Sequence, residues 1–219
     1  MIFLRWACAA LLAPLLFLAG CGALPVGEKI ERAAPFELMG RVLVSQEGRA
    51  FSANVRWVHA QDSDELWLLT PTGQGLAQLR EEATGATLIG VDQTVIRGTS
   101  IESLTRQGLG WQLPVTRMQH WVRGAPAPGA AFVINERDAA GKVRLLTQDG
   151  WRVNVEHYAA DTQNGLPRRM ELVGAAQTIR LVIDTWGRSE AAEANEATKA
   201  TEAAKATGAA NATTETKAE

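Results

Sequence analysis

Short runs in which apolar and polar residues alternate fill the chain between Phe36 and Trp186. In the run at 50–60, every second residue from Phe51 to Trp57 is apolar, and the runs at 151–158 and 178–186 repeat the pattern. A period of two is typical of a β-strand with one buried face. Turn residues divide the runs, and Asp149-Gly150 is a dipeptide favoured in two-residue hairpins. The pattern predicts about eleven strands, near 37–46, 50–60, 65–70, 75–81, 86–90, 93–97, 131–138, 143–148, 151–158, 168–173 and 178–186.

Helical spacing replaces the alternation between Thr99 and Gly124. Thr99 and Glu102 have the spacing of a capping box, Ile101 and Leu104 follow on one face, and Gly108 is suited to end the helix. The sequence therefore predicts a first short amphipathic helix here.

A second short helix is predicted after Pro114, which favours a first helical turn. Val115, Met118 and Trp121 then recur at helical spacing, and Gly124 terminates the segment. A third, weaker helix is predicted from Glu28 to Ala34, before Pro35.

A sheet of about eleven strands has to close or curl to protect its edges, and amphipathic helices have to lie against its apolar side. The predicted fold is therefore mainly β with some helix (α+β), an incomplete antiparallel barrel covered by two or three short helices. Small barrels pack solid, whereas larger or partly open ones enclose an apolar cavity. The pattern leaves both possibilities open.

Composition narrows the possible functions. The 219 residues carry 22 Lys plus Arg against 24 Asp plus Glu, so no surplus of positive charge favours nucleic acid as a partner. The two cysteines, Cys8 and Cys21, both precede the predicted strands, which excludes disulfides and thiolate catalysis in the body of the protein. Seven Trp against five Phe and one Tyr favour either a roomy apolar interior or a Trp-rich core.

The first twenty residues have the composition of a signal peptide, with Arg5 followed by an apolar run that is too short to span a bilayer. The run ends in Leu18-Ala19-Gly20-Cys21, which resembles the lipobox of bacterial lipoproteins. We therefore expect Cys21 to be the lipid-modified N-terminus of the mature protein, at the start of a tether over 21–35. The residue after the cysteine is Gly22 and not Asp, which resembles the signal that sorts enterobacterial lipoproteins to the outer membrane. An ordinary secretory peptide is the alternative.

The segment 188–219 is predicted to be a disordered tail. From Ser189 onward it consists of Ala, Glu, Thr, Lys, Asn, Ser and Gly, without any large apolar residue. Such a segment cannot bury enough apolar surface to offset the entropy lost on ordering. The half-barrel domain is therefore expected to span 36–187.

Residues suited to catalysis or metal binding are dispersed. His59, His120 and His157 are isolated from one another, so neither a zinc motif nor any other metal site is predicted. Gly98-Thr99-Ser100-Ile101-Glu102 lacks the second glycine of a serine-hydrolase elbow. A catalytic carboxylate pair is neither indicated nor excluded. The sequence favours a protein without enzymatic activity.

Several strings, in order over about 150 residues, resemble the LolB family of outer-membrane lipoprotein receptors. They are Gly40-Arg41-Val42, Leu68-Leu69-Thr70-Pro71-Thr72-Gly73, Trp121-Val122-Arg123-Gly124-Ala125-Pro126, Gly150-Trp151-Arg152-Val153, Leu166-Pro167-Arg168-Arg169-Met170-Glu171-Leu172 and Ile179-Arg180-Leu181-Val182-Ile183-Asp184-Thr185-Trp186. The resemblance implies a half-open barrel of about eleven strands, with helices over an apolar cavity that holds the acyl chains of a passing lipoprotein.

The resemblance also implies the partners. They are a periplasmic lipoprotein carrier similar to LolA, the acylated lipoprotein cargo, and the outer membrane, on whose periplasmic face a monomer anchored through Cys21 would insert the cargo. No cofactor is implied. A structural or scaffolding envelope lipoprotein with a solid β core is the alternative function.

Two departures from the family pattern concern the candidate site. Where the family commonly presents a protruding apolar residue in the hairpin loop, this chain has Thr72 between Pro71 and Gly73. This departure counts against a role of the loop in membrane insertion. The loop is still a candidate for contact with the membrane or a partner, and a plain turn is the alternative. Val155 stands where the family has an aromatic residue, which keeps the face apolar. Residues on the apolar strand faces and helices are predicted to line the cavity: Val55, Trp57, Leu104, Met118, Trp121, Trp151, Val153, Leu181 and Ile183.

Overall fold

Eleven strands and two helices make up the part of the chain that the computed structural model describes, residues 32–158 and 165–187. The elements in chain order are β1 Phe36–Gln46, β2 Arg49–His59, β3 Ser63–Leu69, β4 Gly75–Glu82, β5 Gly85–Gly90, β6 Val95–Gly98, α1 Ile101–Gly108, α2 Val115–Trp121, β7 Phe132–Arg137, β8 Val143–Gln148, β9 Trp151–Tyr158, β10 Pro167–Val173 and β11 Gln177–Gly187. The predicted signal peptide, Cys21 and tail lie outside the described residues.

All eleven strands form one antiparallel sheet in the order β6-β5-β4-β3-β2-β1-β11-β10-β9-β8-β7. Among the strands of residues 32–158 and 165–187, the one long-range pairing is that of β1 with β11, which joins two meanders. Strands β6 and β7 are the two edges of this sheet and do not pair with each other. The sheet is therefore an open, incomplete barrel, as the alternation pattern predicted. The end at which β1 begins is called the proximal end below, and the end at which β1 finishes is called the distal end.

The buried core lies on one face of this sheet. Inward positions alternate along β2, where Ala53, Val55 and Trp57 are buried. At the proximal end, Phe36 packs edge-on against Trp57 with ring centroids 5.0 Å apart. Both helices add side chains to the same cluster, among them Leu104 and Trp121. The helices thus cover the apolar face of the sheet and form what we call the lid, residues Ile101–Trp121.

Gly40 is required where the two meanders meet. A Cβ atom at this position would lie 2.1 Å from the carbonyl oxygen of Val182 on β11, and the register shifts between Met39 and Gly40. A side chain at Gly40 would therefore force two strand backbones apart. The Gly40-Arg41-Val42 string therefore lies inside β1, where the backbone of β11 passes too close for any side chain at position 40.

The first helix begins one residue later than the predicted capping box implied. Ser100, not Thr99, is the N-cap; its hydroxyl accepts a hydrogen bond from Ser103 N–H, and Ser103 Oγ accepts one from Ser100 N–H. Ser103 therefore has the role that the sequence pattern assigned to Glu102. Gly108 ends α1, and the left-handed residue that follows is Gly110, with φ of 77°.

Two further expectations differ from the structure. Residues 32–35 have no helical structure, so the part of the predicted helix at 28–34 that is described is not helical. β7 has no buried face, because only Ile134 among its six residues is even partly covered. Within 32–158 and 165–187, neither helix is long and apolar enough to cross a membrane.

Candidate functional site

The nine residues predicted to line a cavity converge on the covered face of the sheet. They come from β2, β9 and β11 below and from both lid helices above, and all belong to the core cluster or pack against it. Eight are at most 7% exposed, and Trp151 is half-buried, with its ring centroid 6.3 Å from that of Trp121. In this conformation they pack against one another beneath a closed lid.

A cavity of about 310 Å³ opens at the distal end, between the β1–β2 hairpin and the segment that joins the two helices. Val44, Phe51, Leu109 and Trp111 supply its apolar lining, while Gln46, Glu47 and Arg49 stand among the polar residues at its margin. Its volume is at the lower end of the roughly 300–1,000 Å³ typical of small-molecule sites. None of the nine predicted residues lines it.

The cavity residues were only partly accessible to sequence reasoning. Phe51 shares the apolar face of β2 with the predicted Val55 and Trp57, so the alternation pattern already indicated its direction. Leu109 and Trp111 lie between two short helices, where no periodicity applies. Trp111 packs against Phe51 with ring centroids 5.7 Å apart, which brings the lid segment onto the hairpin.

The two lid helices are joined into one unit by side chains. Thr105 Oγ1 on α1 accepts a hydrogen bond from Leu113 N–H at 3.0 Å, and Glu102 Oε1 accepts one from Thr116 N–H at 2.8 Å. Both acceptors lie on α1, and both donors lie at the start of α2 or just before it. Because the helices share these bonds, any opening of the lid moves them together.

Gln148, at the end of β8, holds the second helix on the sheet. Its Oε1 accepts hydrogen bonds at 2.9 Å from both Trp121 Nε1 and Ala127 N–H, and its Nε2 donates to the carbonyl oxygens of Ala127 at 2.6 Å and Ala130 at 3.3 Å. Gln148 is only 2% exposed. Sequence analysis missed it, although a polar residue at an inward position of a strand is a usable signal, because a buried amide requires partners.

The lid segment is also tied to the β10–β11 hairpin. Gln177 Oε1 accepts a hydrogen bond from Gln112 N–H at 3.0 Å, and Gln177 Nε2 donates to the carbonyl oxygen of Gln112. This pair closes the side of the lid beside the distal cavity. The lid is therefore fastened by Gln148, at the end of β8, and by Gln177, at the start of β11.

A buried polar cluster lies at the proximal end. Asp64 Oδ1 accepts a hydrogen bond from Trp57 Nε1 at 2.8 Å and lies 2.7 Å from His59 Nδ1, and Arg32 pairs with the same carboxylate. The other ring nitrogen of His59 is 3.0 Å from the carbonyl oxygen of Ala33. His59 ends β2, and its contacts hold the segment that leads into β1.

That entering segment also contacts the lid, since Ala33 N–H donates to Gln119 Oε1 on α2 at 3.3 Å. Near the N-terminus of α1, Glu81 Oε2 accepts a hydrogen bond from Ile101 N–H at 2.7 Å. Burial raises the pKa of Glu81 above its ordinary value, and the Ile101 N–H opposes that rise. The proximal end is thus closed by packed, hydrogen-bonded polar side chains.

The loop Pro71, Thr72 and Gly73 projects from the distal end between β3 and β4, and all three residues are exposed. Gly73 adopts φ of 87° and donates its N–H to the carbonyl oxygen of Thr70 at 2.9 Å. The hydroxyls of Thr70 and Thr72 are 2.8 Å apart. The loop is a tight, polar turn on the same end as the cavity.

The described residues contain no group of three or more His, Cys, Asp or Glu side chains placed to hold a metal ion. The buried histidine is already engaged with Asp64 and a backbone carbonyl. In the described residues the site is an apolar face covered by a lid, which neutral amides fasten to the sheet.

Comparison with known proteins identifies the family. A family model described as "Outer membrane lipoprotein LolB" matches residues 34–186. A protein of Nitrosomonas europaea named "Outer-membrane lipoprotein LolB" is 34% identical over 174 residues, covering 78% of this chain and 82% of the relative. One of the same name from Azoarcus sp. is 36% identical over 156 residues, covering 71% of this chain and 80% of the relative.

Among solved structures, a LolA superfamily protein from Nitrosomonas europaea aligns over 72% of this chain and 88% of its own, with a TM-score of 0.43 and 7% identity. A putative outer membrane lipoprotein-sorting protein domain from Vibrio parahaemolyticus aligns over 71% and 86%, with a TM-score of 0.44 and 7% identity. The sequence match extends over the whole described half-barrel and its lid, and the chain therefore belongs to the LolB family of outer membrane lipoproteins.

Proposed function

We propose that this protein receives lipoproteins from a periplasmic carrier and inserts them into the inner leaflet of the outer membrane. The observation that carries the proposal is the family match over residues 34–186, the segment that builds a covered apolar face. The acyl chains of the cargo would occupy that face beneath the lid. The carrier partner, similar to LolA, and the acylated cargo follow from the family and are part of the proposal.

Cargo entry requires the lid to move. The distal cavity of about 310 Å³ matches only the smallest ligand sites, and the nine predicted lining residues are packed together beneath the helices. Because Thr105 and Glu102 join the helices, the lid would rise as one body after its bonds to Gln148 and Gln177 break. The distal cavity, between Trp111 and Phe51, is where the first part of an acyl chain would enter.

The direction of transfer would come from relative affinity, since no cofactor or nucleotide is proposed. The receptor has to hold the chains more tightly than the carrier does, and the bilayer more tightly than the receptor. Each tenfold step in affinity is worth about 1.4 kcal/mol. A closed lid that must open first lowers the affinity of the receptor, which prevents the cargo from being retained.

Attachment to the periplasmic face of the outer membrane would run through Cys21. A triacylated cysteine buries enough methylene groups, at about 0.8 kcal/mol each, to make release from the membrane negligible. We expect Cys21→Ser to free the protein into the periplasm. Continued membrane attachment of this variant in cell fractionation would contradict the anchor.

Depletion of the protein in its own host tests the function. We expect lipoproteins destined for the outer membrane to accumulate bound to the periplasmic carrier or in the inner membrane, as followed by fractionation of acylated cargo. Re-expression of the unaltered chain is the control and should restore their placement. Normal placement during depletion would overturn the proposal.

The scaffold alternative makes the opposite prediction for ligand uptake. A receptor whose lid opens should bind a fluorescent fatty acid and show quenching of the tryptophans beneath the lid, such as Trp121 and Trp151. A permanently solid core should leave the probe free and the tryptophan fluorescence unchanged. The measurement needs only the purified mature protein.

A further inference from the structure

Exposed apolar side chains are concentrated at the distal end. The described residues include five large apolar side chains that are strongly exposed, and four of them lie there: Val91 at 73%, Val95 at 44%, Phe132 at 47% and Val133 at 58%. The fifth, Met39, lies on β1 toward the proximal end. Four of these five residues share one end of the sheet, which makes that end a candidate contact surface.

The four residues occupy both edges of the open sheet. Val91 lies in the β5–β6 turn, and Val95 begins β6, where it pairs with Ile89 near the end of β5. Phe132 and Val133 begin β7, where Phe132 pairs with Gln148 at the distal end of β8. The two pairs therefore form two apolar corners on the same end as the cavity and the loop. We call the four residues the distal corners.

Backbone pairing with another strand is disfavoured at both edges. β6 has only four residues. On β7 the pairing register shifts on both sides of Glu136, and the strand ends in charged residues. Short, irregular and charged edges are features that prevent strand addition. The corners consequently offer apolar side chains rather than a free row of backbone groups.

The loop beside the corners provides no apolar side chain at its tip. Thr72 is exposed, and its hydroxyl is engaged with that of Thr70. The large exposed apolar side chains at this end of the described residues are therefore those of Val91, Val95, Phe132 and Val133.

We propose that the distal corners are the surface by which this protein touches the phospholipid bilayer, so that the distal cavity faces the membrane; this rests on the proposed function. Apolar side chains that enter the interface gain the free energy of leaving water without requiring a backbone partner. Because the cavity lies between the corners, an acyl chain that leaves the space beneath the lid passes directly into the bilayer.

The length of the tether agrees with this orientation. The eleven residues from Cys21 to Glu31 span at most about 36–40 Å when extended. The eleven residues of β1 span about 36 Å from the proximal to the distal end. A tether that enters at the proximal end therefore reaches the distal end only when it is nearly fully extended, so its length permits this orientation.

The test uses the full mature chain carrying Cys21→Ser, which has no lipid anchor and no remaining cysteine. Binding to vesicles of phosphatidylethanolamine and phosphatidylglycerol at about 3:1 is measured by cosedimentation. We expect serine at all four distal corners to lower the partition coefficient at least tenfold, which is about 1.4 kcal/mol. Met39→Ser, matched in exposure at 46%, should change it less than twofold. Equal binding by all three chains would overturn the proposal.

A polarity-sensitive dye on Val133→Cys gives a second, independent measurement. We expect its emission to shift to the blue and increase when vesicles are added, whereas the same dye on Met39→Cys should not respond. A silent dye at 133, or an equal response at both positions, would overturn the proposal.

Two further readouts separate this inference from the proposed function. Fatty-acid uptake should survive in the four-site serine variant, because none of the four residues lines the distal cavity. If no chain takes up fatty acid but vesicle binding still falls in the variant, the proposed function fails and the membrane surface stands. If the variant binds vesicles normally but no longer accepts cargo from the carrier, the corners contact a protein, and the membrane proposal is wrong.

Discussion

Replacing Gln148 by leucine should loosen the lid and tighten ligand binding at once. The side chain makes four hydrogen bonds to Trp121, Ala127 and Ala130, and leucine can make none of them. The indole N–H of Trp121 and the backbone N–H of Ala127 would be left without a partner in a buried site. Each buried polar group left unsatisfied costs about 1–3 kcal/mol, so the closed lid should lose about 2–6 kcal/mol.

This cost applies to the closed state, because water satisfies both donors once the lid has risen together with the segment that follows it as far as Ala127. The apparent dissociation constant of a ligand that binds only the open state is its intrinsic value divided by the open fraction. Even the lower limit, about 2 kcal/mol, corresponds to more than a tenfold gain in apparent affinity. The gain ends when the open state becomes the major one.

Titration of Gln148→Leu with a fluorescent fatty acid measures this effect, and urea unfolding measures the loss of stability in parallel. Thr147→Ala is the matched control. Thr147 is the residue next to Gln148, and its side chain is exposed and forms a hydrogen bond to Asn135 on β7. We expect unchanged affinity in the control and at least tenfold tighter binding in Gln148→Leu. A folded Gln148→Leu protein that binds no more tightly than the unaltered chain would refute lid opening as the binding step.

Three further predictions concern the framework around the site. Gly40→Ala should lower the free energy of unfolding by about 2 kcal/mol or more, because its Cβ would lie 2.1 Å from the Val182 oxygen, whereas Gly75→Ala, with open space around the added atom, should not. Burial raises the pKa of Tyr158, the only tyrosine, to about 12, so phenolate absorbance should titrate near 12 in the folded protein and near 10 in urea; a folded midpoint near 10 would contradict its burial. Because the folded pKa is the higher one, the stability Tyr158 contributes is complete below pH 10 and is lost as the pH rises toward 12. Asp64→Ala should cost about 3 kcal/mol in urea unfolding, since it strands a buried indole N–H and an imidazole, and an unchanged midpoint would contradict that network.

The strand framework was predictable because alternation reports directly which residues share a face. All eleven predicted runs correspond to strands, and the Asp149-Gly150 turn has the positive φ values of 49° and 75° that its hairpin requires. The helix start was missed by one residue because Thr99, Ser100 and Ser103 are all competent capping residues, and only the tertiary contacts decide among them. Glu102 instead accepts a hydrogen bond from Thr116 on the second helix.

The candidate site was predictable only in outline. Periodicity indicated the apolar face that carries Trp57 and Leu181, but whether that face is empty or filled depends on how the lid packs, which no sequence period encodes. The polar fastening by Gln148 and the lining by Trp111 are long-range contacts. β7 has no buried face because the core barely extends to this edge strand, with only Ile134 packed against it, and alternation along a strand does not show where the core ends.

Photo-crosslinking with a diazirine fatty acid tests the central claim most directly, namely that acyl chains occupy the apolar face beneath the lid. After irradiation of the mature protein, mass spectrometry locates the labelled residues. The account predicts labels on the lid around Leu104 and Met118 and on the strands around Val153 and Leu181. Labels confined to the outer face of the sheet, or no labelling above that of a denatured control, would contradict it.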